Sequence, residues 1–229
     1  MESEVELLVS LLDEKTSRKI GKHTYYTGIL AGTPTVIARA GVGKVNAAAC
    51  TAAMILEFAP EYILNTGVAG ALGKGITVGD VIIADSCVEY DLEYGALGDK
   101  RGSIFYPDST SEIVMPADAE LSAKLEAAAS AVSGGEFAVK RGVVATGDKF
   151  ISSNEAREDI LSAFPDALCC EMEGAAIAQV CRLYSTKFSI LRSMSDSADG
   201  EAEMDFPTFA KLSADRAAKI AEKLAKSLS

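Results

Sequence analysis

The sequence alternates short apolar runs with longer stretches of helical spacing, and this alternation constrains the fold more than any other feature. Apolar runs bounded by Gly, Pro or Asp predict buried strands, whereas Ala-rich or amphipathic segments of ten or more residues predict helices. The predicted strands span residues 24–30, 35–39, 62–65, 81–84, 140–145, 168–171 and 188–194. The predicted helices span residues 1–12, 44–58, 117–132, 154–163, 174–183 and 208–227. The pattern predicts one α/β domain with a mixed sheet over residues 1–229.

Size, apolar content and charge narrow the class of protein. With 229 residues, 48% of them hydrophobic, the chain is long enough for one large core. Its formal net charge of -11 argues against nucleic acid and against an anionic membrane surface, because both attract basic patches. No apolar run approaches the roughly 20 residues of a membrane span, and the N-terminus lacks a basic segment followed by an apolar one. We therefore expect a cytoplasmic protein with no membrane partner.

The five cysteines lack the C-x-x-C spacing of a zinc site. Most lie in apolar runs, where a thiol behaves as a small hydrophobic side chain. The adjacent Cys169 and Cys170 are expected to face opposite sides of one strand. We predict reduced, structural cysteines and no bound metal.

The last predicted strand ends in polar residues, among them Ser195 and Asp196. A carboxylate directly after a buried strand lies where an open α/β sheet binds its ligands. Asp196 is therefore the leading catalytic candidate. The alternative is that this aspartate turns the chain or caps a helix.

A second acidic cluster, Glu171-Met172-Glu173, ends another apolar run before a predicted helix. In an extended chain both glutamates point to one face. There they suit the hydroxyl groups of a sugar ring, with the thioether of Met172 packed beneath it. The alternative is an ordinary helix N-terminus, where acidic residues are favourable.

Glycine-rich segments at residues 41–43 and 67–75 follow predicted strands and permit a close backbone approach to a ligand. Neither matches a dinucleotide fingerprint or a P-loop, which disfavours those cofactors. The aromatic side chains Phe150 and Phe206 either stack on a planar ligand or pack in the core. His23 is the single histidine and is expected to be exposed, which disfavours a Ser/His/Asp triad.

Seven motifs together resemble the nucleoside phosphorylase/hydrolase superfamily and, within it, the 5'-methylthioadenosine/S-adenosylhomocysteine nucleosidases. In family order they are Glu2-Ser-Glu-Val-Glu-Leu-Leu8, Gly41-Val-Gly-Lys-Val-Asn46, Asn65-Thr-Gly-Val-Ala-Gly70, Val78-Gly-Asp80, Thr146-Gly-Asp-Lys-Phe-Ile151, Glu171-Met-Glu173 and Ser195-Asp196. The resemblance covers nearly the whole chain. It implies a three-layer α/β/α fold and hydrolysis of an N-glycosidic bond, without a metal or an organic cofactor.

The resemblance also implies catalytic roles. Asp196 protonates N7 of the leaving adenine, and Ser195 and Arg192 orient it. Glu4 positions the attacking water. Protonation of adenine removes charge from a poor leaving group, while nearby carboxylates stabilise the cationic ribose.

The substrate contacts implied by the resemblance come from several loops. Glu173 holds the ribose hydroxyls, Met172 lies against the ribose, Phe150 stacks on adenine and the backbone of Ile151 binds the adenine edge. Val42 and Phe206 line the pocket for the 5'-thio substituent. A partner subunit closes that pocket, which implies a homodimer in which the loop from Leu97 to Phe105 contributes.

Three departures from the family pattern are visible. Family members begin with a strand before the glutamate-rich helix, so the first strand is expected to be absent from this chain. Val68 stands where relatives often carry a hydroxyl residue, so a polar substrate contact from that side chain is expected to be missing. The segment 89–108 also differs and is expected to be a long loop.

Two other functions stay open from the sequence. A phosphorylase on the same fold needs a fixed cation for phosphate, and residues 65–75 contain no Arg and only Lys74, which favours hydrolysis. A nucleoside-binding protein without catalysis is the other alternative.

Overall fold

The computed structural model describes the backbone of residues 2–196 and 206–229, with side chains for residues 5–196 and 209–229. The helices are α1 (Glu2–Ser10), α2 (Lys44–Phe58), α3 (Ala119–Ser133), α4 (Asn154–Ala163), α5 (Gly174–Leu183) and α6 (Phe206–Leu228). The strands are β1 (Asp13–Ile20), β2 (His23–Leu30), β3 (Thr33–Ala38), β4 (Tyr62–Ala71), β5 (Val81–Glu89), β6 (Ile104–Phe105), β7 (Ser111–Glu112), β8 (Met115–Pro116), β9 (Val139–Thr146), β10 (Ala167–Glu171) and β11 (Lys187–Asp196).

The helices lie where the sequence predicts them, to within about two residues at their described ends. The seven predicted strands are also present, but β4 and β5 continue to Ala71 and Glu89, well past their predicted ends at residues 65 and 84. Strand β1 was not predicted, because its sequence is mostly polar and nearly all of it is exposed, so it shows no alternation of buried and exposed positions. It pairs with β2, and β2 pairs with β3, so the three strands form an antiparallel sheet. The prediction of a long loop over residues 89–108 is wrong in part: Glu89 ends β5, Gly95–Leu97 forms a 3-10 helix, and β6 pairs with β7.

The main sheet is mixed and closes on itself. Strand β4 runs parallel to β11 and antiparallel to β10, β9 lies parallel to both β10 and β5, and β5 returns to β11 in antiparallel pairing. Strand β8 pairs antiparallel with Ser86 and Cys87 of β5. The mixed α/β fold predicted from the sequence is confirmed.

Helices cover the main sheet on two sides. One core joins the sheet to α2 and α5 through side chains such as Ala47, Ile177 and Ile190. Another joins it to α3 and α6 through Leu125, Leu191 and Ile220. This arrangement is the three-layer α/β/α architecture.

The adjacent cysteines of β10 belong to different cores. Cys169 packs in the core under α2 and α5, whereas Cys170 packs with Ile160 of α4. All five cysteines are buried with free thiols. Among residues 2–196 and 206–229, no helix is long and apolar enough to cross a membrane.

Two strand edges border an internal cavity. Strand β3 pairs only with β2, and β4 from Tyr62 to Ala69 pairs only with β11, within the described part of the chain. Both strands line one cavity of about 1010 Å³. Because the edge of a sheet presents unpaired N–H and C=O groups, the cavity wall is polar along these backbones as well as apolar in its side chains.

Candidate functional site

The site forms where three strands meet at Gly70. On one edge of β4, Gly70 pairs with Asp196 of β11, and on the other edge it pairs with Cys170 of β10. The two acidic segments that the sequence analysis singled out therefore lie on either side of one residue. Residues of both segments line the cavity: Glu171, Met172 and Glu173 of one, and Ser195 and Asp196 of the other.

The carboxyl ends of three parallel strands also lie level at this place. Glu89 of β5 pairs with Thr146 of β9, and Thr146 pairs with Glu171 of β10. Loops that follow these strands converge, as they do at ligand sites of open α/β sheets. This explains why residues that are far apart in sequence surround one cavity.

We define the floor of the site as a network of four polar side chains: the buried Thr146, Glu171 and Arg192, and the half-buried Asn65. Arg192 is 3% exposed, and its guanidinium group donates to Asn65 and to Glu171. Thr146 donates to the other oxygen of Glu171. A charge buried this deeply requires such partners, because an unpaired one is very costly. The network therefore fixes the positions of both charged groups.

Gly67 makes room for this network. A Cβ atom at Gly67 would clash with Nη1 of Arg192. The glycine-rich segment 67–75 is predicted to follow the strand, but β4 continues through Gly67 to Ala71. Glycine stands here because a guanidinium group lies against the strand, and the backbone is not in a left-handed conformation at this position.

Glu171 and Glu173 have different environments. The carboxylate of Glu171 accepts from the backbone N–H of Glu173 at 2.9 Å and of Gly174 at 2.8 Å, so it serves the N-terminus of α5. This is the helix interpretation that the sequence left open. Glu171 is thus committed to the protein itself, although it borders the cavity.

Glu173 lies beyond this capping interaction and lines the cavity. It accepts from the backbone N–H of Gly43 at 3.0 Å, and its second oxygen lies 3.6 Å from Nη2 of Arg192. Burial raises the pKa of Glu173 above its ordinary value, the charge of Arg192 opposes this, and the charge of Glu171 adds to it. One guanidinium group thus lies against two glutamates.

Ser195 and Asp196 end β11 at the cavity. The hydroxyl of Ser195 donates to Asp196 Oδ2 at 2.7 Å and also lies 3.3 Å from the carbonyl oxygen of Ala69. Both residues are half-buried. Ser195 is therefore close enough to orient the carboxyl group of Asp196.

The rim of the site, in contrast to its floor, consists of the loop tips at Val42 and Phe150. Phe150 is 76% exposed and Val42 is 67% exposed, yet both line the cavity. Ile151, next to Phe150, is buried and anchors its loop in the core beside α4. Val68 and Met172 are half-buried cavity residues, and the carbonyl oxygen of Val68 lies 3.5 Å from Nη1 of Arg192.

Two predicted site residues concern side chains outside the described part of the chain. Glu4 lies on α1 and Phe206 begins α6, and only their backbones are described. The roles predicted for them stay predictions. His23 does not line the cavity, and the prediction that it is exposed is wrong: it is half-buried, with Nε2 at 3.2 Å from the carbonyl oxygen of Ala40.

One group of residues beside the rim was not predicted from the sequence: Lys44, Glu89, Asp91 and Asp148. Nζ of Lys44 lies 2.7 Å from Asp91 and 3.1 Å from Glu89. Each residue ends or follows a strand, or begins a helix, at the same edge as the site. That shared position is the signal that was available in the sequence. In the described residues, no group of His, Cys, Asp and Glu has the arrangement of a metal site.

Comparison with known proteins gives the family of the chain. The model of the phosphorylase superfamily matches residues 1–226. A 5'-methylthioadenosine/S-adenosylhomocysteine nucleosidase of Staphylococcus aureus (strain JH9) is 38% identical over 229 residues, which are 100% of this chain and 97% of the relative. The chain belongs to this superfamily and, within it, to the 5'-methylthioadenosine/S-adenosylhomocysteine nucleosidase family. The family predicted from the sequence motifs is confirmed.

Solved structures of relatives share the fold. The nucleosidase of Neisseria meningitidis in complex with methylthio-immucillin-A is 39% identical, with a TM-score of 0.91, and the match covers 99% of this chain and 96% of that one. The nucleosidase of Colwellia psychrerythraea in complex with adenine is 30% identical, with a TM-score of 0.91, and the match covers 100% of this chain and 92% of that one. Small molecules of the nucleoside and purine type are thus bound by these relatives.

Proposed function

We propose that this chain hydrolyses the N-glycosidic bond of 5'-methylthioadenosine and S-adenosylhomocysteine, releasing adenine and the 5-thioribose product. Family membership confirms the class of enzyme predicted from the sequence, an adenosine-type N-ribosyl hydrolase. For this chain, the main supporting observation is that β4 pairs with both β10 and β11 at Gly70. This pairing brings the carboxyl groups of Asp196 and Glu173 to one cavity that also has an exposed aromatic side chain.

Asp196 is the proposed general acid. A protonated carboxyl group delivers a proton to N7 of adenine as the glycosidic bond breaks, so that the base leaves without a negative charge. The support is positional: Asp196 ends a buried strand at the cavity, and Ser195 holds one of its oxygens at 2.7 Å. A hydrogen bond that fixes the carboxyl plane reduces the reorganisation needed during proton transfer.

A carboxylate beside the floor is the proposed electrostatic support for the ribosyl cation. Loss of adenine leaves positive charge on the sugar, which a nearby carboxylate stabilises. We assign this role, together with hydrogen bonds to the ribose hydroxyls, to Glu173. Arg192 is assigned as the residue that orients Glu173 and restrains the attacking water. Its own charge is balanced by Glu171, so it does not cancel the negative charge facing the sugar.

The rim is the proposed contact surface for the base and the 5' group. The exposed ring of Phe150 is available for stacking on adenine, and the backbone of Ile151 is assigned to the adenine edge. Met172 is assigned to the ribose face and Val42, with Phe206, to the 5'-thio substituent. Val68 has no hydroxyl group to bind water. We therefore assign the binding of water at this place to Arg192 and to Glu4, the proposed base.

Hydrolysis is favoured over phosphorolysis by the charge balance of the floor. A phosphate ion requires a cation that is not already neutralised. Arg192 is paired with Glu171 and also faces Glu173, so phosphate at this place would meet two carboxylates. The binding-only alternative is disfavoured because the proposed proton donor and its orienting hydroxyl are both present at the cavity.

The test is adenine release from methylthioadenosine and S-adenosylhomocysteine, in buffer without phosphate and again with phosphate. We expect adenine release in both buffers, with the free 5-thioribose product rather than its 1-phosphate. A requirement for phosphate would replace hydrolysis with phosphorolysis. Binding of adenine without any turnover would identify the binding-only alternative.

We further propose that residues 1–229 act as one catalytic domain within a homodimer. Exposed Leu97 and Phe105 support this, since both lie in the loop expected to close a neighbouring pocket and large exposed apolar side chains favour an interface. Light scattering at micromolar concentration tests the assembly, and a monomer with full turnover would contradict a shared pocket. The cytoplasmic location expected from the sequence stays a prediction.

A further inference from the structure

Three loops at the site edge are joined by a closed ring of polar contacts. Nζ of Lys44 lies 2.7 Å from Oδ1 of Asp91, whose Oδ2 accepts from the backbone N–H of Asp148 at 2.7 Å. Asp148 Oδ1 in turn accepts from the backbone N–H of Lys44 at 2.8 Å. Three residues, each from a different loop, thus form a cycle in which every member binds the other two.

We propose that Lys44 is a positioning residue for nucleoside binding, because its ammonium group closes this ring and thereby holds the rim over the floor. The proposal rests on the proposed function, since it concerns how the same cavity binds its substrate. Lys44 does not itself line the cavity. It acts through the loops that carry Val42 and Phe150, each of which lies two residues from a member of the ring.

The ring also reaches the floor. Gly43, directly before Lys44, donates its backbone N–H to Glu173 at 3.0 Å. Gly41 and Gly43 have φ values of 90° and 88°, which side chains other than glycine rarely adopt. This loop has an unusual conformation and no regular secondary structure before Lys44. Contacts at its end therefore decide where Val42 lies and where the backbone N–H of Gly43, which donates to Glu173, lies.

Charge explains why a cation is needed at the centre of the ring. The carboxylates of Glu89 and Asp91 both lie against the ammonium group of Lys44, and both are largely buried. The charge of Asp148 also acts on Glu89. Burial raises the pKa of Glu89, and Lys44 opposes that rise. For Lys44, burial acts to lower the pKa, but its hydrogen bond to Asp91 and the charge of Glu89 outweigh this and raise it. Lys44 therefore stays charged while it neutralises its neighbours.

Removal of the ammonium group leaves like charges close together. Their repulsion in a partly buried place is much larger than in water, and it decreases when the carboxylates become protonated. The variant should consequently bind substrate better at low pH than at high pH. Other groups that act on these carboxylates are Arg101 and Tyr90 near Asp91, and Cys87 near Glu89. Burial raises the pKa values of Tyr90 and Cys87, so neither thiol nor phenol ionises in the range tested.

The experiment compares Lys44→Met, Lys44→Arg and the unmutated chain for KM, kcat and adenine binding between about pH 5 and pH 8. Lys44→Met should raise KM for methylthioadenosine about tenfold or more at pH 8, with a smaller change in kcat, and the ratio to the unmutated KM should fall toward pH 5. Lys44→Arg should restore part of the affinity because it keeps the charge. Lys124→Met, which breaks an exposed ion pair with Glu120 on α3, is the matched control and should change nothing.

A second variant keeps the test decisive if Lys44→Met folds poorly. Asp91→Asn breaks the same ring from the other side with little change in volume, and the double variant should lose no more affinity than the worse single variant. Additive effects on KM, a pH-independent KM ratio, or no rescue by Lys44→Arg would each overturn the proposal. If the unmutated chain releases no adenine, the proposed function fails, and the adenine affinity of the variants still tests the ring.

Discussion

The floor and the rim of the site differ in how they are held. The floor residues Thr146, Glu171 and Arg192 lie on strands, are buried and have each other as hydrogen-bond partners. The rim residues Val42 and Phe150 project from loops and are mostly exposed. The difference indicates a division of labour: strands place the charges that the reaction needs, and loops provide the contacts that recognise the base and its 5' group.

The largest expected effect is a loss of turnover on substitution of Asp196, at the edge of the floor. Asp196→Asn keeps the size and the contact with Ser195 but removes the proton donor, so turnover should fall by about 10²-fold or more. Adenine release and thermal melting are measured together, and the melting temperature should stay close to that of the unmutated chain. Asp166→Asn, an exposed position before β10, is the control. A rate near that of the unmutated chain would remove Asp196 as the acid.

The second prediction tests whether Glu4 of α1 takes part in the reaction together with the floor residues. Glu4→Gln should lower turnover by about 10²-fold while substrate affinity is largely kept, because a carboxylate is needed to activate water. If Glu4 only favours the helix N-terminus, the change costs about 0.3–1 kcal/mol of stability and no activity. Glu2→Gln and Glu6→Gln on the same helix are the controls. Equal rates for Glu4→Gln and its parent would exclude Glu4 from the mechanism.

A third prediction tests how rigid the floor is. Gly67→Ala introduces a methyl group against the guanidinium of Arg192, so we expect a loss of about 1–3 kcal/mol in the free energy of unfolding and a lower activity. Denaturant unfolding of this variant, of Arg192→Ala and of the double variant gives a double-mutant cycle. The cost of Gly67→Ala should shrink when Arg192 is already truncated. An unchanged cost would mean that the clash is not the cause.

The smallest expected effect belongs to the rim. Phe150→Ala should raise KM about tenfold, since base stacking on an aromatic side chain contributes about 1–3 kcal/mol and this ring is exposed before binding. Stability should hardly change, because an exposed ring contributes little to the core. Tyr184→Ala, at another exposed aromatic position, is the control. A large fall in melting temperature with no change in KM would reverse the distinction between rim and floor.

The sequence alone was sufficient for most of the fold and for the family. Helical and strand periodicity reports which side chains are buried, so elements such as α2, α4 and α5 were predicted with their observed ends. Strand β1 escaped prediction because its residues are exposed on both faces, which removes the periodic signal. The acidic segments at residues 171–173 and 195–196 were recognised because each follows a buried strand.

Tertiary structure decided how those candidates divide their roles. Glu171 and Glu173 look equivalent in the sequence, but Arg192 and the start of α5 engage Glu171, while Glu173 turns to the cavity and to Gly43. Lys44 gave no local signal of importance, because its carboxylate partners lie at the end of β5 and in the loops after β5 and β9. Periodicity indicates which face of its own helix or strand a residue occupies. Hydrogen bonds and ion pairs between elements depend instead on which strand ends the closed sheet brings together.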